Sequence, residues 1–173
     1  MIYEFKGKRP RIGKNVFIAP TATVIGDVEI GDHSSVWYNT VIRGDSDAIT
    51  IGKNTNVQDN CTIHVDEGKP AVIGDNVTIG HNAVVHGCKI EDNCLIGIHS
   101  TVLNDAHIKK GSIVASNAVV KEGQAVGPFH LVAGIPSTVK KEFSEDIVEV
   151  IQAPADIYVK KSAEFMDLKP IEE

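Results

Sequence analysis

The sequence predicts a mainly β fold, a prism of short parallel strands coiled into a β-helix and followed by a C-terminal α-helix. The first observation is an internal period of six residues at which an aliphatic side chain recurs. The second is composition, because aromatic residues are only 5% of the chain while valine, isoleucine and alanine abound, which favours strands. The third is a change to helix-type apolar spacing after residue 143.

An aliphatic residue stands at eighteen positions of the six-residue series. These positions are Ile12, Ile18, Val24, Ile30, Val36, Ile42, Ile51, Val57, Ile63, Ile73, Ile79, Val85, Ile90, Ile96, Val102, Ile108, Val114 and Val120. A small or β-branched residue follows four places after most of them, so each unit turns two side chains inward. A helix has spacings of three and four, and a meander turns every eight to twelve residues, so neither produces this period.

The residues between the units suit tight corners. Triplets such as Gly-Asp-Asn supply glycine and asparagine, which tolerate positive φ, and aspartate, which bonds its own backbone. The pattern resembles the left-handed parallel β-helix, in which three hexapeptides form one triangular coil, so eighteen units imply about six coils. The handedness rests on that resemblance. Two insertions, RGDSDA after Ile42 and HVDEGKPAV after Ile63, are expected to be loops that leave the prism.

The chain divides into two predicted parts. Residues 1–139 form the β-helix with its N-terminal lead-in, and residues 140–173 form a helical segment and a tail. Ser144 is expected to cap a first helix, and Pro154 to occupy the first position of a second. The apolar faces expected to pack on the prism carry Ile147, Val148, Ile151, Ile157, Tyr158 and Phe165. The last six residues, LKPIEE, are expected to fray.

The overall composition excludes several classes of partner. The formal net charge is −6 and no run of lysine and arginine occurs in mid-chain, which argues against binding to nucleic acid or to an anionic membrane. No apolar stretch is long enough for a membrane span, and no export signal is visible. The three cysteines have no metal-clip spacing. We therefore expect a reduced, cytoplasmic protein whose partners are small molecules or protein chains.

The six-residue register converts sequence spacing into geometry. With three hexapeptides per coil, residues at equal offsets three units apart lie directly above one another. His64 follows Ile63 by one place and His86 follows Val85 by one place, so the two histidines stack one rung apart. Arg43 falls in the same column one rung earlier. We expect Arg43, His64 and His86 to form a single file.

A second file is predicted on a different edge of the prism. It contains Asp59 and His81, with His99 one rung further on and offset by one place. The two files are a full side of the triangle apart, too far for one metal ion, because Zn–N bonds are about 2.0–2.1 Å. Three prisms packed side by side would bring the files together. We therefore predict a homotrimer with three sites, each formed by His64 and His86 of one chain and His81 of the next.

Three neutral imidazoles leave a tetrahedral Zn²⁺ ion one open position for water, which is the arrangement of catalytic zinc. Such a metal makes water a nucleophile near neutral pH. Imidazole ligands also suit Fe²⁺ or Co²⁺. The other histidines, His33, His107 and His130, are interpreted as surface residues. Cys61 and Cys94 stand at inward positions and are interpreted as core.

Several motifs resemble, in order, those of the γ-class carbonic anhydrases. They are VWYNTVIRGDSDAITIGKNTNVQDNCTIHVD, IGDNVTIGHNAVVHGCKIEDNCLIGIHSTVL and VAGIPSTVKKEF, and together they span nearly the whole chain. The resemblance implies reversible hydration of CO₂ to bicarbonate at a zinc site shared between the subunits of a trimer. It implies that Arg43 and Asp45 form an ion-paired corner near bicarbonate. It further implies that Asn56, Gln58 and Asp59 bind or orient the reacting hydroxide and the substrate.

The sequence departs from that family in the region that moves protons. The long acidic loop with a proton-shuttle glutamate is replaced by VDEGKPA, and Ser46 stands where an acidic residue often follows the corner. Glu67 and His99 are the candidate substitutes, since imidazole titrates near neutral pH. His99 stands in IGIH, where the family commonly has IGMG.

Two rival functions are compatible with a hexapeptide prism. One is acyl transfer or thioester hydrolysis with a CoA substrate, which needs one catalytic histidine rather than three that converge. The other is a metal-bearing scaffold without catalysis, because a fold does not determine a function. For Arg43 and Asp45, the alternative to a role in the reaction is a corner turn with an interface ion pair.

Overall fold

The computed structural model describes residues 1–169 and residue 171, and consists of a parallel β-helix followed by one α-helix. The strands are β1 (Ile2–Tyr3), β2 (Arg11–Ile12), β3 (Phe17–Ile18), β4 (Thr23–Ile30), β5 (Ser35–Val36), β6 (Val41–Ile51), β7 (Asn56–Val57), β8 (Thr62–His64), β9 (Ala71–Ile73), β10 (Thr78–Ile79), β11 (Val84–His86), β12 (Lys89–Ile90), β13 (Leu95–Ile96), β14 (Thr101–Val102), β15 (His107–Ile108), β16 (Ile113–Val114), β17 (Val119–Val120), β18 (Ala125–Val126), β19 (His130–Ala133) and β20 (Thr138–Glu142). The helix is α1 (Ile147–Phe165). The predicted fold class is confirmed. Of the expected frayed tail, residues 170, 172 and 173 lie outside the described residues.

Equivalent residues of successive coils lie directly above one another. Each unit pairs in parallel with the unit three places further on, so Ile42 pairs with Ile63, and Ile63 with Val85. A sheet of twelve strands covers two faces of the prism, and a sheet of eight strands covers the third. The long strands β4 and β6 carry the chain from one face to the next. Each coil therefore contains three units, which is the assumption from which the two files of residues were predicted.

The prism has about seven turns rather than the predicted six. β18 pairs with β15, and β19 pairs with β16, so the coil continues beyond Val120. Val126 and Val132 are at most 1% exposed and keep the six-residue spacing. The sequence hid these units because Pro128 and Phe129 replace the usual corner residues. β20 pairs antiparallel with β19 and crosses the predicted boundary between residues 139 and 140, and that division stays a prediction.

The core is a stack of aliphatic layers. From Val24 onward, every predicted aliphatic position is at most 1% exposed, while Ile12 and Ile18 at the first turn are half-buried. Inward hydroxyls bond to carbonyls of the next rung, as Thr40 Oγ1 does to the Gln58 carbonyl at 2.6 Å. Cys61 and Cys94 point inward as predicted, and burial raises the pKa of both thiols to about 12. They are therefore inert at neutral pH.

The two insertions differ from each other. The first is not a loop outside the prism, because residues 45–48 bulge within the continuous strand β6. Pairing with β4 resumes on both sides, at Gly26 with Gly44 and at Val28 with Ile49. The second insertion leaves the prism as expected, in a tight hairpin closed by a bridge between Asp66 and Lys69. The prediction that the first insertion leaves the prism was wrong, because its extra residues form a bulge opposite one residue of β4.

The C-terminal segment is one helix rather than two. Pro154 lies inside α1, and Ser144 does not cap it, since its hydroxyl bonds to the Asp146 carboxylate. The buried stripe of α1 is Ile151, Ala155 and Ser162, each at most 2% exposed, whereas Ile157 is 57% exposed. Among the described residues, no helix is both long and apolar enough to cross a membrane.

The helix docks onto the prism through an aromatic cluster. The Trp37 ring lies 5.1 Å from Phe17, 5.2 Å from Tyr158 and 5.0 Å from Phe165, measured between ring centroids. The Trp37 indole also donates to Ser35 Oγ at 2.9 Å, so its polar atom is satisfied in the core. Four of the nine Phe, Tyr and Trp residues of the chain thus meet where α1 packs on the first turns.

Candidate metal centre

The first file lies on one edge of the prism, at the ends of β8 and β11 and near the start of β6. Arg43 pairs with His64, and His64 pairs with His86, in consecutive rungs. Parallel strands in register place these side chains one above another. The two imidazoles approach each other, with His64 Nδ1 only 2.9 Å from His86 Nε2. The spacing expected from the hexapeptide register is therefore present, while the assignment of the histidines as metal ligands stays a prediction.

The outer nitrogens of both histidines face hydrogen-bond acceptors. His64 Nε2 lies 3.0 Å from Asp45 Oδ1, and His86 Nδ1 lies 2.7 Å from Asn104 Oδ1. A neutral imidazole carries one N–H, so each ring donates through its outer nitrogen. Each inner nitrogen then keeps a lone pair. With both outer nitrogens donating, the two lone pairs face each other across 2.9 Å, which is the donor arrangement of a metal site.

Asp45 joins the histidine file to the guanidinium of Arg43. One carboxylate oxygen accepts from His64, and the other is ion-paired with Arg43. Burial of Asp45 favours its neutral form, but the hydrogen bonds from His64 and Arg43 outweigh this and lower the pKa of the carboxyl. Asp45 is therefore a carboxylate at neutral pH and orients His64. Arg43 and Asp45 lie together at the corner, as the sequence motif indicated.

The second file lies on another edge and is built around His81. His81 Nδ1 lies 2.9 Å from Asp59 Oδ2, and the other Asp59 oxygen accepts from the Tyr38 amide at 3.1 Å. Asp59 thus fixes the tautomer in which His81 Nε2 keeps its lone pair. The His81 side chain is 37% exposed, so the imidazole can be reached from outside the chain.

Asn56 and Gln58 support the His81 edge from inside. Gln58 Oε1 accepts from the His81 amide at 3.2 Å, and its Nε2 donates to Asn56 Oδ1 at 3.1 Å. Asn56 in turn donates to Thr78 Oγ1 at 2.9 Å. Both amides are buried, at 1% and 6% exposure. Their predicted contact with hydroxide or substrate stays a prediction, and the observed role is to hold the backbone of His81.

The two files do not converge within one chain. Across residues 1–169 and 171, the group able to hold a metal comprises His64, Asp66 and His86, whose ligand atoms all lie within 4.8 Å of one another. His81 is not a member of this group. A single chain therefore presents two of the three predicted histidines together and the third elsewhere.

Among the described residues, the side chain of neither candidate proton shuttle makes a hydrogen bond or an ion pair with the site. Glu67 lies at the exposed tip of the hairpin. His99 is exposed at a corner with φ of 59°, and its amide donates to the His81 carbonyl at 2.9 Å. Asn82 occupies the same corner one rung earlier, with φ of 60°. His99 therefore stands at a position that the repeat uses for a left-handed turn. The shuttle roles of both residues stay predictions.

The remaining histidines lie outside this centre, as interpreted from the sequence. His107 bonds to Glu91 at 2.7 Å, His130 lies 3.7 Å from Glu142, and His33 occupies a left-handed corner with φ of 61°.

Two residues of the centre were missed by sequence reasoning. Asn104 follows Val102 by two places, one rung after His86, so the register argument could have found it with a one-place offset. Asp66 lies in the hairpin, where the six-residue register does not apply, so no sequence signal placed it. Both contact each other, with Asn104 Nδ2 donating to Asp66 Oδ2 at 2.9 Å.

Comparison with known proteins agrees with this architecture. Residues 9–44, 70–97 and 87–122 match the family model described as Bacterial transferase hexapeptide (six repeats). The chain belongs to the hexapeptide-repeat family. It is 50% identical over 151 residues to the protein of Methanocaldococcus jannaschii named "Probable carbonic anhydrase", covering 87% of this chain and 95% of that one.

Further relatives place this hexapeptide-repeat protein with the γ-class carbonic anhydrase-like lyases, as the sequence motifs indicated. It is 40% identical to "Gamma carbonic anhydrase 2, mitochondrial" of Arabidopsis thaliana, over 88% of this chain and 57% of that protein. A solved structure from Bacillus cereus, provisionally described as an acetyltransferase, has a TM-score of 0.94 and 37% identity, covering 98% of both chains. Relatives of the same fold thus carry two different activity names.

Proposed function

We propose that the protein is a homotrimer that reversibly hydrates CO₂ to bicarbonate at metal sites shared between subunits. His64 and His86 of one chain and His81 of the next would hold the metal. The observation that carries this proposal is the pair of inner nitrogens 2.9 Å apart, each outer nitrogen being bonded to an acceptor. Relatives named carbonic anhydrase support the reaction.

The chemistry of the donor set fits a divalent metal ion. All three imidazoles have an oxygen acceptor on the nitrogen that would not bind metal, from Asp45, Asn104 and Asp59 respectively. Such partners fix ring orientation and raise the basicity of the ligand nitrogen. Three imidazoles suit Zn²⁺, and also Fe²⁺ or Co²⁺. When bound, the metal supplies the Lewis acidity that makes water a nucleophile at neutral pH.

The separation of the two files supports the proposed trimer. His81 is not part of the His64 and His86 cluster, and its side chain is 37% exposed. Side-by-side packing of three prisms would let each second file meet the first file of a neighbour, in a closed three-fold ring. Facing files would also bring Arg43 toward Asp59 of a neighbour. An ion pair between these two residues would compete with contacts inside the chain, because Arg43 pairs with Asp45 and Asp59 with His81.

The other residues of the centre would orient the metal ligands or bind the substrate. Asp45 holds His64, and Asp59 holds His81, so both carboxylates set the geometry of the ligands. The Arg43 side chain is 41% exposed and offers a cation for bicarbonate beside the site. Glu67 or His99 would pass the released proton to buffer. A cytoplasmic location belongs to this proposal and is supported by three cysteines that are all free.

Stopped-flow CO₂ hydration tests the proposal on metal-replete protein, metal-stripped protein and the variant His81→Ala. We expect a metal-dependent rate that is lost on stripping and in the variant, since both remove the shared site. His107→Ala is the matched control, because His107 bonds to Glu91 away from the site. Absence of a metal-dependent rate would contradict the proposal and leave CoA acyl transfer, CoA-thioester hydrolysis or a metal-bearing scaffold to be assayed.

A further inference from the structure

The hairpin after His64 lies across one whole rung of the prism. Asp66 accepts from Asn104 Nδ2 at 2.9 Å, and Lys69 is ion-paired with Asp105. Both partners lie two rungs beyond His64, and the rung between them carries His86. We call residues 65–70 the strap. The strap therefore crosses the edge of the prism beside His86 and is anchored below it at two points.

Gly87 makes room for this crossing. A Cβ atom at Gly87 would collide with Asn104 Oδ1 and would lie 3.1 Å from both the Cβ and the carbonyl oxygen of Lys69. The φ of Gly87 is 49°, in the left-handed region that favours glycine. The residue directly after His86 is thus the one that lets Asn104 and the strap approach the imidazole.

Asp66 determines which end of the Asn104 amide faces His86. A carboxylate accepts hydrogen bonds and does not donate them, so the amide nitrogen turns to Asp66 and the oxygen turns to His86 Nδ1, at 2.7 Å. The N–H of the neutral imidazole is then on Nδ1. The lone pair is on Nε2, which faces His64 at 2.9 Å.

We propose that Asn104, oriented by Asp66 of the strap, is a positioning residue that keeps His86 in its metal-binding tautomer. This inference rests on the proposed metal site and gives the strap a role in metal retention. Loss of a partner of this kind lowers metal affinity about 10–100-fold. The rival role for Asp66 is direct ligation, because its carboxylate belongs to the cluster within 4.8 Å.

The test compares Asn104→Leu with a reciprocal exchange, Asn104→Asp combined with Asp66→Asn. The leucine variant removes the acceptor from His86, whereas the exchange restores an acceptor oxygen there and an N–H donor from the strap. Asn104→Asp alone also keeps an acceptor oxygen for His86 and serves as a second variant of that kind. Glu122→Leu is the control, since Glu122 is exposed at the same offset one rung further on.

Zn²⁺ affinity is measured by competition with a chromophoric chelator, alongside the visible spectrum of the Co²⁺-loaded protein and the Tm of the metal-free protein. We expect the Kd of Asn104→Leu to rise about 10–100-fold with an unchanged Tm. We expect the exchange and Asn104→Asp each to bind at least threefold more tightly than Asn104→Leu, because both keep an acceptor oxygen for His86, and we expect Glu122→Leu to match the wild type. If the leucine variant does not fold, Asn104→Ala, which also removes the acceptor, takes its place.

Three outcomes would overturn the inference. One is wild-type affinity in Asn104→Leu, and another is an exchange that binds no better than Asn104→Leu. The third is a loss in Asp66→Asn as large as in His86→Ala, with an altered Co²⁺ spectrum, which would make Asp66 a ligand. A wild-type protein that binds no metal would instead overturn the proposed function, so the two failures are distinguishable.

Discussion

At the residue scale, the bulge beside the site depends on how closely two backbones approach. Gly26 has φ of 80°, and a Cβ there would collide with the Gly44 carbonyl oxygen on the strand that leads into Asp45. Gly123 has φ of 66° and open space around it. The two glycines therefore share the conformational requirement but differ in packing.

The pair Gly26→Ala and Gly123→Ala separates strain from collision. We expect Gly123→Ala to cost about 1–2 kcal/mol of unfolding free energy, from the left-handed backbone alone. Gly26→Ala should cost about 1–3 kcal/mol more, because β4 and β6 must also move apart. Chemical denaturation of both variants at one protein concentration measures the difference. Equal losses of unfolding free energy in the two variants would mean that β4 and β6 can move apart at Gly26 without cost.

At the element scale, α1 depends on its aromatic contacts with the first turns. Tyr158 and Ile157 are adjacent, yet Tyr158 packs on Trp37 while Ile157 is 57% exposed. We expect Tyr158→Ala to lower the free energy of opening α1 by about 2 kcal/mol, which is less than truncation of a fully buried aromatic residue costs. Ile157→Ala should stay within about 0.5 kcal/mol. Hydrogen exchange of the α1 amides measures both, and similar protection in the two variants would contradict a docked helix.

The same scale shows what the sequence could predict. The period of six predicted the pairing of His64 with His86, because parallel strands in register carry sequence spacing directly into space. Pro154 was misread as a helix start, because propensity is local while buried Ile151 and Ala155 hold the helix together on both sides of it. The contact from Asp66 to Asn104 was not predictable, since a hairpin outside the repeat has no register.

At the scale of the whole molecule, the proposed site is a property of the assembly, and chain mixing tests this. The variants His81→Ala and His86→Ala each lack one ligand at every interface, so neither trimer should retain metal. In trimers refolded from an equal mixture, an interface is intact when the first chain keeps His86 and the second keeps His81. In a closed three-fold ring with random pairing, about one interface in four meets that condition.

We therefore expect the mixture to recover about a quarter of the wild-type metal content, since random pairing in the ring leaves that share of interfaces intact. The quantity to measure is metal per chain after dialysis against a weak chelator. His107→Ala mixed with wild type is the control and should show full content, because His107 bonds to Glu91 outside the centre. Recovery near zero would contradict a site shared between neighbouring chains, whereas retention by the His81→Ala trimer alone would place all ligands within one chain. In that case Asp66 would be the third donor, since its carboxylate lies in the cluster with His64 and His86.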